Sequence, residues 1–352
     1  MVSPGRSEDG VPGSVRSSPH DPPLPIRPLN LPDPLPTEGP LVSVLIPLYN
    51  HERYIGESLG SVLLQTYRSI EVVVVDDCST DRSLEFARQV AAGDPRVTFH
   101  RNPQNLGVVD NQGRLLELSN GPLVKFLAAD DRFCMPDALA RMVAAMEGEP
   151  TIDLVTSQGS WIDGDGNARA NQWSPLSPHL DIVIDGIFFG DFSLVQCLNV
   201  IGDCQVLYRR KAFDGEEFDV SDWLFLDGHD PGLRALTDIA MSLHVLRTND
   251  AAYLKDPTVQ FRIHESGQLS SGESRNPQCI VMWYALMRAA RSAGFLADQR
   301  VFRKALVDLL VRHMNLDHYQ SDAPEDWIWM RDVLQQVAQQ IGDLSYQIAL
   351  GQ

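Results

Sequence analysis

Leu41-Val42-Ser43-Val44-Leu45-Ile46 is an apolar run that stops at Pro47 and opens into Leu48-Tyr49-Asn50. A second run, Ile70-Glu71-Val72-Val73-Val74-Val75, stops at Asp76-Asp77. A third, Leu123-Val124-Lys125-Phe126-Leu127, passes through Ala128-Ala129 into Asp130-Asp131. Short β-branched runs alternating with helical patterns read as parallel strands buried on both faces of a sheet. Ligands of such sheets bind outside the carboxyl ends of the strands. Two acidic pairs at two such ends predict a site for a cation, or for an anion held through a metal.

Working outward, the 352 residues allow one large α/β domain with an appendage, or two modest domains. The formal charge of -18 argues against a nucleic-acid partner, because phosphate binding needs a basic footprint. The same acidity also serves plain solubility. Five scattered cysteines lack metal-site spacing and read as reduced thiols. No apolar core of a signal peptide and no apolar run of about 18 residues is seen. The expected location is therefore cytoplasmic, either free or peripheral at the cytoplasmic face of a membrane.

Residues 1–40 are rich in Pro, Ser and Gly and read as a disordered or extended leader. Leu24, Ile26, Leu29, Leu31 and Leu35 are its apolar residues, able to pack along the domain. Residues 41–145 form a first α/β half, with helices expected over 51–66, 81–92, 108–119 and from Pro136 to about Met146. Residues 146–272 form a second half. In it, strands are expected at Leu154–Ser157 and Gln205–Tyr208, and a helix over 232–247. Residues 171–200 read as an irregular wall with short helices. Residues 273–352 are helical, including 324–342, and are expected to cover the sheet, form a small appendage or offer a dimer surface. Asp163-Gly164-Asp165-Gly166-Asn167 resembles part of a calcium loop but lacks the glutamate that would close it, so a tight turn is the better reading.

Each acidic pair has an ordinary explanation. Asp76-Asp77-Cys78-Ser79-Thr80-Asp81 could be a strand-to-helix turn, since Asp and Ser cap helices well. Adjacent carboxylates repel unless solvated or sharing a cation, so two pairs on one edge are harder to dismiss. The whole series settles the matter. Val44 to Asn50, Glu71 to Asp81, Asn102 to Gly107 and Phe126 to Asp131 resemble, in order and spacing, glycosyltransferase family 2. The resemblance covers about residues 41–140 and is looser beyond residue 150.

That resemblance implies a GT-A-like fold: a single Rossmann-related, mostly parallel sheet with flanking helices, plus C-terminal helices. It also implies a metal-dependent inverting transferase that uses a UDP-sugar or dTDP-sugar. Pro47, Tyr49 and Asn50 match the strand end that holds base and ribose. One of Asp76 and Asp77 matches the carboxylate that reads the base. Asp130 and Asp131 match the family's DxD-like signature, Asp130 toward ribose and Asp131 toward Mg²⁺ or Mn²⁺. Where many relatives carry a further aspartate, this chain has Ala128-Ala129. The family's Glu-Asp pair, which supplies the general base, matches Thr237-Asp238, making Asp238 the expected base and Asp230 its competitor. Arg262 and His264 resemble an Arg-x-His segment, with Arg262 expected on phosphate and His264 on metal.

The acceptor is expected to be a hydroxyl on a glycan, a lipid-linked glycan or a protein. Trp161, Trp173, Phe188, Phe189, Phe192 and Trp223 are available for stacking on sugar, though large aromatics usually become core. The competing class is a catalytically weakened GT-A-like protein that binds glycan or nucleotide sugar. A dinucleotide oxidoreductase fits poorly, because the first strand lacks the glycine fingerprint. A nucleotidyltransferase would use similar acids but break a phosphoanhydride bond.

Overall fold

The computed structural model describes residues 25–169, 176, 178–196, 202–213, 236–264 and 278–313. The helix expected over 324–342 lies outside them, as do Trp173, Trp223 and Asp230. The centre is a nine-stranded sheet. Its parallel heart contains β2 (Val42–Leu48), β3 (Ile70–Asp76), β4 (Val97–Arg101) and β5 (Leu123–Phe126). Register pairs Leu48 with Asp76 and Asp76 with Arg101, so the strand ends line up on one edge.

Both faces of this heart are covered, as continuous apolar runs require. Val42, Val44, Ile46 and Leu48 point to one face, with Val72 and Val74. They pack against α1 (Ile55–Leu63), α2 (Ser83–Ala91) and α4 (Ala138–Gly148). Leu45, Val73, Val75, Val124 and Phe126 point to the other. There they meet α3 (Val108–Glu117) and a cluster built by α5 (Gly186–Gln196), α6 (Thr237–Leu246), α7 (Gln278–Ser292) and α8 (Gln299–His313). The turn between α7 and α8 contains Gly294 at φ 105°.

The second half extends the same sheet. β10 (Leu207–Arg209) runs antiparallel to both β5 and β7 (Ile152–Ser157), so β5 and β7 share a direction. β11 (Asp250–Leu254) lies parallel to β7, followed by antiparallel β9 (Ile182–Ile184) and β1 (Ile26–Pro28). Part of the leader is therefore a built element. β1 closes one sheet edge, Leu29 is buried, and Leu31 and Leu35 pack on the core. Pro28 is tolerated because the strand is an edge. Tyr67 fixes the rest of the strap by donating its hydroxyl to the Pro40 carbonyl at 2.7 Å.

Residues 171–200 depart from the expected irregular wall where they are described. They contribute β9 and the eleven-residue α5. Phe189 is core, edge-on to Tyr253, and Phe192 packs on the same cluster, whereas Phe188 is exposed. Trp161 pairs with Phe261 at 5.2 Å.

Past the carboxyl edge the chain makes a small second sheet. β6 (Arg132–Phe133), β8 (Ser160–Asp163) and β12 (Val259–Ile263) form it in the order β6-β12-β8. These are the continuations of β5, β7 and β11. They fold over the strand ends and carry Arg262 and His264 to Asp130 and Asp131.

Candidate active site

The loops after β2 and β3 are locked to each other. The amides of Asn50, His51 and Glu52 donate to Ser79 Oγ, Ser83 Oγ and Asp81 Oδ2. In return, the amides of Thr80 and Arg82 donate to Asn50 Oδ1 and Glu52 Oε2. Asn50 makes this possible with a left-handed backbone, φ 55°, a conformation asparagine tolerates. Its side-chain oxygen thus serves the loop framework. Tyr49 stands beside it with 43% of its surface exposed. Pro47 is half-buried at the same strand end.

Asp76 and Asp77 have different surroundings. Asp77 is consumed by the fold. Its Oδ1 accepts from Asn102 Nδ2 at 2.7 Å and from the Leu106 amide at 2.9 Å, and its Oδ2 accepts from the Gly107 amide at 2.9 Å. Asp76 Oδ1 accepts only weakly, from the Ser79 amide at 3.2 Å. Its Oδ2 is buried without a hydrogen bond. Arg101 Nε lies 3.3 Å away, close enough for charge attraction but misaligned for donation. A buried carboxylate oxygen without a donor is costly and is satisfied by an incoming N–H.

Asp130 and Asp131 also divide. The Arg262 amide donates to Asp131 Oδ1 at 2.9 Å, and Asp131 is 6% exposed. Asp130 Oδ2 meets His264 Nε2 at 3.0 Å. Among the described residues, His51, Asp130 and His264 form a set whose ligand atoms all lie within 4.8 Å. Two imidazoles and a carboxylate fit a divalent cation: ligands about 2.1 Å from a metal sit roughly 3 to 4 Å apart, a small rotation away. The expected ligand His264 is in this set. Asp131, also expected on the metal, lies outside this set, and Asp130 is its carboxylate. Burial of the His51 imidazole holds its pKa below the ordinary value, with Asp130 opposing and His264 reinforcing that shift.

Arg262, expected on phosphate, does not offer its fork to solvent. Its side chain is fully buried. Nε donates to the Asp130 carbonyl at 2.9 Å, Nη1 to the Asp163 carbonyl at 3.3 Å and Nη2 to Glu57 Oε2 at 2.7 Å. The guanidinium lies 4.9 Å from the Tyr54 ring centre. Glu57 also takes Arg132 Nη1 at 2.7 Å. Asp163 Oδ1 receives the amides of Asp165 and Asn167, and Oδ2 receives Asn167 Nδ2. That carboxylate is committed to its own turn, so the 163–167 run is a turn and not a calcium loop.

Asp238 sits in the first turn of α6 and its Oδ1 accepts from the Ile239 amide. α6 enters β11 after only Arg247–Asn249, and β11 runs with β7 and hence with β5. A helix returning antiparallel to those strands has its first turn at their carboxyl edge. Topology thus puts Asp238 on the same edge as Asp76 and Asp130. Tyr208 and Ser242 hold α6 against β10 through a 2.7 Å hydrogen bond.

His51, Tyr54 and Glu57 are site residues that sequence reasoning missed. His51 directly follows the strand-end motif, and that adjacency was the available signal. Tyr54 and Glu57 gave none, because they read as an ordinary helical stripe and its polar neighbour.

Residues 43–215 match the family model described as glycosyl transferase family 2. An uncharacterized glycosyltransferase of Haemophilus influenzae is 33% identical over 192 residues, covering 51% of this chain and 58% of that protein. A second from the same organism is 36% identical over 107 residues, 30% of this chain and 42% of that protein. The chain thus spans less than two thirds of either. The putative glycosyltransferase EpsH of Bacillus subtilis is 26% identical over 290 residues, 79% and 76% of the two chains. In fold, the crystal structure of S. aureus TarS 1-349 in complex with UDP-GlcNAc is similar at TM-score 0.57 and 18% identity, covering 85% of this chain and 81% of that one.

Proposed function

This chain belongs to glycosyltransferase family 2 through residues 43–215, and from that membership we propose that it moves a sugar from a UDP- or dTDP-sugar to a hydroxyl acceptor with inversion. The observation that carries the reading is the pairing, on one sheet edge, of an orphaned Asp76 oxygen with the His51, Asp130 and His264 set. The first suits the ring N–H of a uracil or thymine. The second suits the divalent cation of a sugar diphosphate.

In this reading the base stacks on Tyr49 against Pro47 and donates its ring N–H to Asp76. Asp77 keeps the 102–107 loop in place beneath it. Asp130 and His264 would hold the cation, and Asp131, next in the chain, is pinned to the Arg262 amide. A bound Mn²⁺ or Mg²⁺ would supply Lewis-acid stabilisation of the departing diphosphate. Asp238 takes the proton of the acceptor hydroxyl as that oxygen attacks the anomeric carbon from the face opposite the diphosphate. The bond from the anomeric carbon to the phosphate oxygen breaks, the nucleoside diphosphate departs, and the sugar is joined to the acceptor oxygen with inverted configuration.

The acceptor is a glycan, a lipid-linked glycan or a protein. Among the described residues no helix is long and apolar enough to cross a membrane. A cytoplasmic protein, free or peripheral at the cytoplasmic membrane face, fits that observation. The test is a donor and acceptor screen with metal present, reading transfer and hydrolysis by mass. The fold likeness to TarS, crystallised with UDP-GlcNAc, supports starting with that donor. Nucleotide binding without metal-dependent transfer or hydrolysis for any donor would sink the enzymatic reading in favour of a binding protein.

A further inference from the structure

The donor-site reading above gives the cation to Asp130 and His264 and assigns His51 no role of its own, yet the backbone around His51 is held on both sides. Its amide is tied to Ser83 Oγ at 2.7 Å. The residue before it is held in a left-handed conformation, and the residue after it is tied to Asp81. The loop interlock therefore fixes where the imidazole can reach. It reaches Asp130 and His264, which arrive from two other segments, after β5 and after β12.

The three groups are not a surface accident. His264 is 8% exposed, and its ring lies 4.5 Å from the Tyr54 ring and 6.2 Å, edge-on, from the His51 ring. Arg262 holds the Asp130 backbone, so the carboxylate is presented from a fixed position. Packing alone would explain two imidazoles in edge-on contact. It would not explain why their nitrogens gather with a carboxylate oxygen inside 4.8 Å.

We propose that His51 is a protein ligand of the divalent cation, and that with Asp130 and His264 it forms a two-imidazole, one-carboxylate site selective for Mn²⁺, Co²⁺ or Zn²⁺ over Mg²⁺. The chemistry follows from donor type. Mg²⁺ takes oxygen ligands and keeps its waters, whereas imidazole suits the transition metals. A site made only from the acidic pair would leave the choice to the diphosphate. A second imidazole moves that choice to the protein. The proposal rests on the donor-site reading only for the location of the diphosphate, since the metal site itself can be tested without any sugar donor.

The experiment titrates the full-length, chelator-stripped protein with Mn²⁺ at neutral pH, following free Mn²⁺ by electron paramagnetic resonance, with and without UDP. His51→Ala, His51→Gln and His264→Ala are compared with the unaltered chain, and circular dichroism confirms that each is folded. The unaltered chain is expected to bind one Mn²⁺ that about a hundredfold excess of Mg²⁺ does not displace. Both His51 variants should weaken Mn²⁺ binding by at least about tenfold and leave Mg²⁺ binding unchanged, as should His264→Ala. Bound Co²⁺ should change its visible absorption spectrum when either histidine is lost. The proposal is overturned if both His51 variants bind Mn²⁺ within about twofold of the unaltered chain, or if they lose Mn²⁺ and Mg²⁺ equally. It is also overturned if the unaltered chain binds no Mn²⁺ with or without UDP. A chain that shows the expected metal pattern but transfers no sugar would sink the transferase reading and leave this one standing.

Discussion

The backbone amide of Arg262 donates to Asp131 Oδ1 at 2.9 Å while its own Nε donates to the Asp130 carbonyl at 2.9 Å. One residue of β12 thus clamps both members of the acidic pair. Its third arm ends on Glu57, which is 46% exposed at the side chain, so water can replace that partner cheaply. The Asp163 carbonyl keeps the Gly166 amide at 3.0 Å, whereas the Asp130 carbonyl depends on the Arg262 Nε donor. Arg262→Lys keeps the charge but cannot span three acceptors. It should cost roughly 2 to 3 kcal/mol in urea unfolding. Because Asp130 would lose its backbone support, Mn²⁺ affinity should fall as well, although Arg262 does not face the cation. Glu57→Gln should cost well under half as much, which separates the buried donors from the exposed ion pair.

Asp76 and Asp77 predict opposite outcomes from the same substitution. Asp77→Ala leaves Asn102 Nδ2 and the amides of Leu106 and Gly107 without their acceptor. It should destabilise the protein by about 2 to 4 kcal/mol and loosen the 102–107 loop. Asp76→Ala removes one 3.2 Å bond, the 3.3 Å charge contact with half-exposed Arg101 and an oxygen without a hydrogen bond, so its unfolding temperature should move far less than that of Asp77→Ala. Its UDP affinity should instead drop by about tenfold, the worth of one buried hydrogen bond to charge. Calorimetric UDP binding paired with thermal melts decides it. Loss of stability without loss of UDP binding in Asp76→Ala would reverse the assignment.

The contrast shows where the sequence was legible. β2, β3 and β5 announce themselves because continuous Val, Ile and Leu runs have no other economical use than a sheet covered on both faces. The acidic ends follow from where those runs stop. The division of labour inside each pair was not legible. It depends on partners such as Asn102 and Arg262, which are 25 and 131 residues away. The leader hid its strand for a related reason: its prolines suit an edge, and only the position of β9 makes an edge available. α5 hid because it is apolar almost all round, and its Gly186 and Gly190 read as breakers.

Those glycines are contact points. A Cβ at Gly186 would fall inside the carbonyl oxygens of Leu246 and Asn249, and one at Gly190 would fall inside the Phe295 ring. Backbone carbonyls cannot rotate away, whereas a ring can shift. Gly186→Ala should therefore be the worse change, costing at least about 3 kcal/mol and separating α5 from the end of α6. Gly190→Ala should cost about 1 to 3 kcal/mol, partly recovered by Phe295→Leu. Equal effects from the two substitutions in urea unfolding would contradict the difference in what each Cβ meets.

Tyr67 ties the leader to the domain, and burial, with Glu147 adding to it, pushes its phenol up to about 12. A folded pKa above the unfolded value of about 10 means stability that is fully present below pH 10. That stability is lost as pH rises from there through about 12. Tyr67→Phe should flatten this alkaline limb. At neutral pH it should cost about 1 kcal/mol, the hydrogen bond to the Pro40 carbonyl. Unfolding measured across the alkaline range, with tyrosine ionisation followed by ultraviolet absorbance, tests both halves.

Asp238 is the residue on which the proposed chemistry depends most. It stands at the start of α6 because Thr237-Asp238 begins the helix where the strands end, and Ser242 anchors that helix to Tyr208. Asp238→Asn preserves shape and the bond from the Ile239 amide but cannot accept the acceptor's proton. Transfer should fall by about 10² to 10⁴-fold in kcat, with UDP and Mn²⁺ affinity within about twofold of the unaltered chain. A base acts on the acceptor and not on the donor, so this separation is the signature to look for. Near-normal turnover in Asp238→Asn would move the role to Asp230, and the same measurement on Asp230→Asn would then show the loss.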